Sequence, residues 1–157
     1  MRIRAAVLRT SPVAKPYADT RPLSIETMEL APPQRDEVLV KIAAAGLCHS
    51  DLSVINGDRP RQTPMVLGHE ASGVVAELGP GVTDLAVGDH VVMSFLPTCG
   101  LCPSCLEGRA QLCGPGQAAN GAGTLLGGGR RLTCDDGTDA YHPCGVSGFG
   151  EYAASSR

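Results

Sequence analysis

A mainly β chain, built of short strands joined by turns and loops with few short helices, is the fold class this sequence predicts. Three observations carry that expectation. Twenty glycines and twelve prolines in 157 residues interrupt the chain too often for a helical bundle. The apolar residues gather in short β-compatible runs bounded by turn residues. Hydrophobic residues make up 43% of the chain, enough for a packed core, while aromatics are only 3% and Trp is absent. The length is that of one ordinary domain.

Taken in order, Ile3 to Leu8 reads as a first strand, and Thr10 to Tyr17, with two prolines, as a loop. Leu23 to Met28 alternates loosely and reads as a second strand, broken by Ala31-Pro32-Pro33. Glu37 to Gly46 is a long strand that runs on to Leu47 and Cys48. Cys48 to Leu52 starts a short helical turn, and Asn56 to Pro64 is a polar loop. Val66 to Gly79 is a further β segment whose glycines imply a bulge or close backbone approach. Gly79-Pro80-Gly81 turns the chain, and Val87 to Met93 is another strand. After a cysteine-rich loop with one helical turn over Ser104 to Gly108, the Gly-rich stretch Gly114 to Gly129 is expected to be a long surface loop. Phe149 to Ala154 is a last strand.

The charge balance narrows the classes of function. Thirteen basic against sixteen acidic residues leave a net charge of −3, without the basic stripe that nucleic acid requires. No polybasic run marks a membrane surface, and no apolar stretch is long enough to span a bilayer. The apolar run after Met1-Arg2-Ile3-Arg4 is too short for a signal-peptide core. Seven cysteines without an export signal point to a reducing cytoplasm, where thiols bind metal or stay free.

Four of those cysteines, Cys99, Cys102, Cys105 and Cys113, lie in one loop. Three recur at every third position and the fourth follows after seven intervening residues. Thiolates so close in sequence can turn inward onto one tetrahedral zinc, with Zn–S near ~2.3 Å. Disulfides are the competing reading, but between such near neighbours they would be strained. Four thiolates leave no open position, so this site is structural and holds a long loop with little core of its own.

Cys48 and His69-Glu70 form a second constellation. Cys48 ends one β segment, while His69 lies in the next with a carboxylate beside it. A catalytic zinc needs such an arrangement: few protein ligands, mixed nitrogen and sulfur, and one position left open. Asp51 and Glu70 can orient His69 and tune the metal. Cys134 and Cys144 fit no ligand pattern and read as incidental, and His90 and His142 as structural or solvent-facing. No strand followed by GxGxxG and a helix occurs. Gly121-Ala122-Gly123-Thr124-Leu125-Leu126-Gly127 has the wrong spacing, so these residues encode no dinucleotide site.

At this point the sequence resembles a known family. Gly68-His69-Glu70-Ala71-Ser72-Gly73-Val74-Val75 is similar to the GHE signature of zinc-dependent alcohol dehydrogenases of the medium-chain dehydrogenase/reductase superfamily. Gly46-Leu47-Cys48-His49-Ser50-Asp51 resembles that family's first zinc-ligand motif, and the four-cysteine loop its structural-zinc lobe. The resemblance implies that residues 1–157 form the N-terminal catalytic domain, a GroES-like partly open β-barrel with a structural-zinc lobe over 95–115. The coenzyme-binding Rossmann domain would lie outside these residues. Cys48 and His69 would be two of three catalytic-zinc ligands; the third, usually a cysteine beyond the final strand, has no counterpart here. Ser50 would take the alcohol's proton, Asp51 would stand behind His69, and Glu70 would assist ligand exchange. His49 would lie near the cofactor pyrophosphate, and Phe95 would line the substrate pocket. Ser53 stands where some relatives carry a histidine that passes the proton to solvent. The implied activity is NAD- or NADP-linked oxidation of a small-molecule alcohol to an aldehyde or ketone, by a cytoplasmic homo-oligomer with structural and catalytic zinc. These residues alone would be inactive. A non-catalytic zinc-stabilised binding module is the alternative, and metal stoichiometry discriminates the two.

Overall fold

The computed structural model describes residues 1–157. Nine strands form two sheets. The first contains β1 (Arg2–Leu8), β2 (Leu23–Leu30), β4 (Met65–Val66), β7 (Leu132–Cys134) and β8 (Asp139–Ala140), in the order β4-β1-β2-β7-β8. The second contains β3 (Glu37–Gly46), β5 (Glu70–Leu78), β6 (His90–Val92) and β9 (Tyr152–Ser156), in the order β6-β5-β3-β9. Every named strand pairing is antiparallel.

Residues 149–151 sew the two sheets into a barrel. Ala6 N–H donates to Phe149 O at 2.8 Å and Glu151 N–H to Arg4 O at 3.0 Å, on the β1 side. On the β3 side, Ile42 N–H donates to Glu151 O at 3.0 Å. The inward faces fill this barrel. β1 alternates as a half-buried strand should, sending Ile3, Ala5 and Val7 inward onto Met28, Leu30, Leu39 and Leu132. A carboxylate–guanidinium pair closes one end: Arg131 Nε and Nη2 donate to the buried Glu37 at 2.9 and 2.7 Å, tying the start of β3 to β7.

The sequence-level elements hold with adjusted bounds, and four differ in kind. Val66 to Gly79 is two strands in different sheets, because Leu67-Gly68-His69 leaves one sheet for the other. The expected strand over Val87 to Met93 shortens to three residues. The hairpin of β7 and β8, around an Asp135–Thr138 turn with Gly137 at positive φ, was not anticipated. Gly114 to Gly129 is no plain surface loop, since Gly114–Ala122 is a helix, α4, and Leu125 is fully buried. Its glycines hide the helix from propensity, but its ends are specified. Cys113 caps it, with Sγ accepting from Gly116 N–H at 3.3 Å, Pro115 lies in the first turn, and Gly123 closes it in the left-handed region. Three shorter helices precede it: α1 (Tyr17–Thr20), α2 (His49–Ile55) and α3 (Pro103–Leu106). α2 packs Val54 and Ile55 onto Leu8, Met65 and Leu67 in a second small core.

Candidate active site and metal centres

The cysteine lobe projects from the barrel between β6 and α4. The four sulfurs of Cys99, Cys102, Cys105 and Cys113 all lie within 4.8 Å of one another, with Cys102–Cys105 at 3.5 Å and Cys99–Cys113 at 3.6 Å. Four thiolates at ~2.3 Å from a zinc stand about 3.8 Å apart, so this cradle fits the ion. All four cysteines carry free thiols, as a metal cradle requires. Backbone N–H groups turn toward the sulfurs. Those of Leu101 and Cys102 pull the Cys99 thiol down to about 6, and that of Cys105 lowers Cys102. Desolvation, aided by the neighbouring sulfurs, pushes Cys105 up to about 11. Gly116 must be glycine here, because a Cβ would overlap the carbonyl of Pro97.

The second centre is assembled from distant segments. β3 leaves the core after Ile42, its last residues exposed, and delivers Cys48 to the start of α2. Asp51, one turn into that helix and buried, accepts from Cys48 N–H (3.3 Å), Gly68 N–H (3.1 Å) and His69 Nδ1 (3.3 Å). One carboxylate thus fixes α2 against the crossover between β4 and β5. Because His69 donates from Nδ1 to Asp51, Nε2 carries the free lone pair, the form that binds metal. The Ser50 hydroxyl lies 3.2 Å from Cys48 Sγ and 3.1 Å from His69 Nε2, so sulfur and nitrogen face one point. Donor atoms of Cys48, His69 and Glu70 lie within 4.8 Å of one another. Soft sulfur, imidazole and a carboxylate in one cluster suit zinc with room for a further ligand. Gly68 permits the crossover: its φ is +87°, and a Cβ would stand 2.5 Å from the Phe149 ring.

The structure places the remaining expected residues around this point. Phe95 sits edge-on to the His69 ring, centroids 6.5 Å apart, and is half exposed. His49 is exposed at the first turn of α2, its Nδ1 3.5 Å from Ser53 Oγ. Glu70 is exposed and leans over Gly46. Hollows open on both sides of His69 and Phe95. One is bounded by Gly46, Glu70 and Met93, the other by Ser50, Arg59, Arg61 and Cys144. The last three belong to the surroundings of the centre although nothing near them in sequence signals it. Cys134 and His142 are buried structural groups, and His90 is exposed on β6. His142 Nε2 accepts from Arg131 N–H at 3.1 Å and its Nδ1 lies 2.8 Å from Ser147 Oγ.

Comparison with known proteins gives the family and the fold. The family model for the alcohol dehydrogenase GroES-like domain matches residues 34–155. S-(hydroxymethyl)glutathione dehydrogenase of Candida maltosa is 40% identical over 144 residues, 91% of this chain and 38% of that protein. NDMA-dependent alcohol dehydrogenase of Amycolatopsis methanolica is 43% identical over 146 residues, 93% of this chain and 34% of its own length. Among solved structures, an alcohol dehydrogenase zinc-binding domain protein from Burkholderia ambifaria superposes with a TM-score of 0.87 at 39% identity, over 99% of this chain and 40% of the other. Benzyl alcohol dehydrogenase from Acinetobacter calcoaceticus gives 0.83 at 36% identity, over 99% and 39%. The chain therefore spans well under half the length of the relatives it matches. It belongs to the alcohol dehydrogenase GroES-like domain family.

Proposed function

We propose that residues 1–157 are the zinc-holding catalytic domain of an NAD- or NADP-linked alcohol dehydrogenase that oxidises a small-molecule alcohol to an aldehyde or ketone. The observation that carries this reading is the convergence of Cys48, Ser50 and His69 on one point with Asp51 behind. Bound there, zinc supplies Lewis-acid polarisation of the substrate oxygen, and the nicotinamide supplies the hydride acceptor. The chain's own residues do the rest. Asp51 holds His69 in its metal-binding tautomer. Ser50 Oγ passes on the hydroxyl proton of the alcohol, and His49, at the surface turn of α2, would face the cofactor pyrophosphate. Phe95 walls the apolar side of the substrate site, and Glu70 exchanges with incoming ligand. Cys99, Cys102, Cys105 and Cys113 would hold a second zinc with no position left open for substrate.

Hydride transfer also needs a glycine-rich nucleotide-binding unit, which these residues do not encode, so on their own they are inactive. Free thiols at all seven cysteines favour a reducing, cytoplasmic setting. No helix is long and apolar enough to cross a membrane. Exposed Leu47, Val92, Leu101 and Leu106 favour self-association into a homo-oligomer.

The test replaces metal at the Cys48–His69 centre with cobalt and follows its visible bands. A small alcohol is expected to shift them, while the 157 residues with NAD⁺ or NADP⁺ form no reduced nicotinamide. Turnover by these residues alone, or bands indifferent to alcohol, would overturn the reading.

A further inference from the structure

The hollow beside Ser50 and His69 carries two arginines that no part of the reaction above uses. Arg59 and Arg61 line it together with Ser50, His69, Phe95 and Cys144. Six of the nine other arginines each pair with a carboxylate. Arg59 and Arg61 pair with none. The neighbouring carboxylates are already committed: Asp58 Oδ2 accepts from Asn56 Nδ2 while its backbone N–H donates to Asn56 Oδ1, and Asp51, which also borders the hollow, is held by His69 and two backbone N–H groups.

Arg61 is half-buried and held in place. Its Nη1 donates to the backbone carbonyl of Asn120 at 2.9 Å, on α4. The side chain of the same Asn120 accepts from Cys144 N–H at 3.1 Å. One residue of α4 therefore sets both the guanidinium and the opposite wall of the hollow. Burial pushes the pKa of the Cys144 thiol up, while Arg61 and then Arg59 pull against it, consistent with both cations facing this space. A planar guanidinium with one N–H group anchored keeps the rest of its donors for a ligand, in a fixed orientation.

Building on the dehydrogenase reading, we propose that Arg59 and Arg61 form an anion subsite that selects alcohols or aldehydes bearing a carboxylate or phosphate at the end remote from the reacting carbon. The hydroxyl end would lie at Ser50 and His69, and the anionic end at the two guanidinium groups. The two arginines are specificity residues and do not touch the reacting atoms.

The experiment compares 6-hydroxyhexanoate, 6-hydroxyhexyl phosphate and 1,6-hexanediol as ligands of the cobalt-loaded chain, read by the visible bands. The anionic alcohols are expected to bind roughly tenfold more tightly than the diol, the order of one charge-assisted hydrogen bond. The tighter of the two names the anion. Salt should shrink the preference, and Arg59→Gln with Arg61→Gln should bring the anionic alcohols down to the diol. Equal binding by all three ligands, or a preference that survives in the double variant, would overturn the proposal. Hexanoate, which has no hydroxyl, separates the two readings by calorimetry on the chain with zinc in the cysteine lobe and none added at the Cys48–His69 centre. Its binding, lost in the double variant, supports the subsite even if cobalt never enters the centre, and its failure to bind with cobalt in place removes the subsite alone.

Discussion

The cysteine lobe and the Cys48–His69 centre are both shaped to hold an ion, and they are assembled in opposite ways. In the lobe, all four donors come from one loop, and backbone N–H groups of that same loop turn toward the sulfurs. Leu101 and Leu106 there are left in solvent, so little apolar burial supports the loop. At the other centre, the donors come from the end of β3 and the crossover into β5, and a single buried carboxylate holds them together. The lesson is that a site folded by its metal is closed, whereas a site folded by the protein can leave a position free for substrate.

Removing metal should break the comparison open most widely. Zinc binding in small thiolate sites is worth on the order of 10 kcal/mol. A strong chelator is therefore expected to abolish hydrogen-exchange protection over residues 98–116 while β1 and β2 keep theirs. Loss of protection in both regions at once would show that the lobe is not an autonomous metal-folded unit.

Acid should act on the barrel side instead. Burial first, then Arg131 and Arg130, lowers the pKa of His142 from its ordinary 6.5 to about 4. The unfolded chain takes up this proton near 6.5 and the folded chain only near 4, so stability is full above 6.5 and falls as pH drops toward 4. The loss amounts to about 3 kcal/mol by the lower end. His142→Gln should flatten that part of the pH–stability curve measured by denaturant titration, whereas an unchanged slope would assign the titration elsewhere.

The smallest effect sharpens the comparison most. Asp51→Asn keeps the shape of the carboxylate but not its charge toward His69 Nδ1. Zinc affinity at the Cys48–His69 centre is expected to fall about 10- to 100-fold, with the lobe's affinity unchanged, in competition against a chromophoric chelator. Equal weakening at both centres would mean that Asp51 acts on the whole fold.

The same contrast explains what the sequence made legible. The lobe was readable in full because its donors and turns are contiguous, so spacing alone implies the cradle. Cys48, His69 and Asp51 are legible as a candidate zinc centre from their residue types on successive β segments, while only the family motifs give each an individual role. Arg61 and Cys144 carry no sequence signal, because Asn120 brings them together across a chain separation that no periodicity encodes, and Arg59 joins them only through the shared hollow. The helix α4 was missed for a local reason: its glycines depress propensity, while its stability comes from a thiol cap and from Gly116 packed under Pro97. The splitting of the Val66–Gly79 segment hinges on Gly68, whose left-handed backbone moves the chain between sheets.

The most direct test of the account is the zinc content of freshly prepared protein, by elemental analysis, for the natural chain and for Cys48→Ala with His69→Ala. The account predicts two zincs per chain in the first and one, still held by four thiolates in X-ray absorption, in the second. A natural chain with a single zinc, or a double variant that retains both, would contradict it.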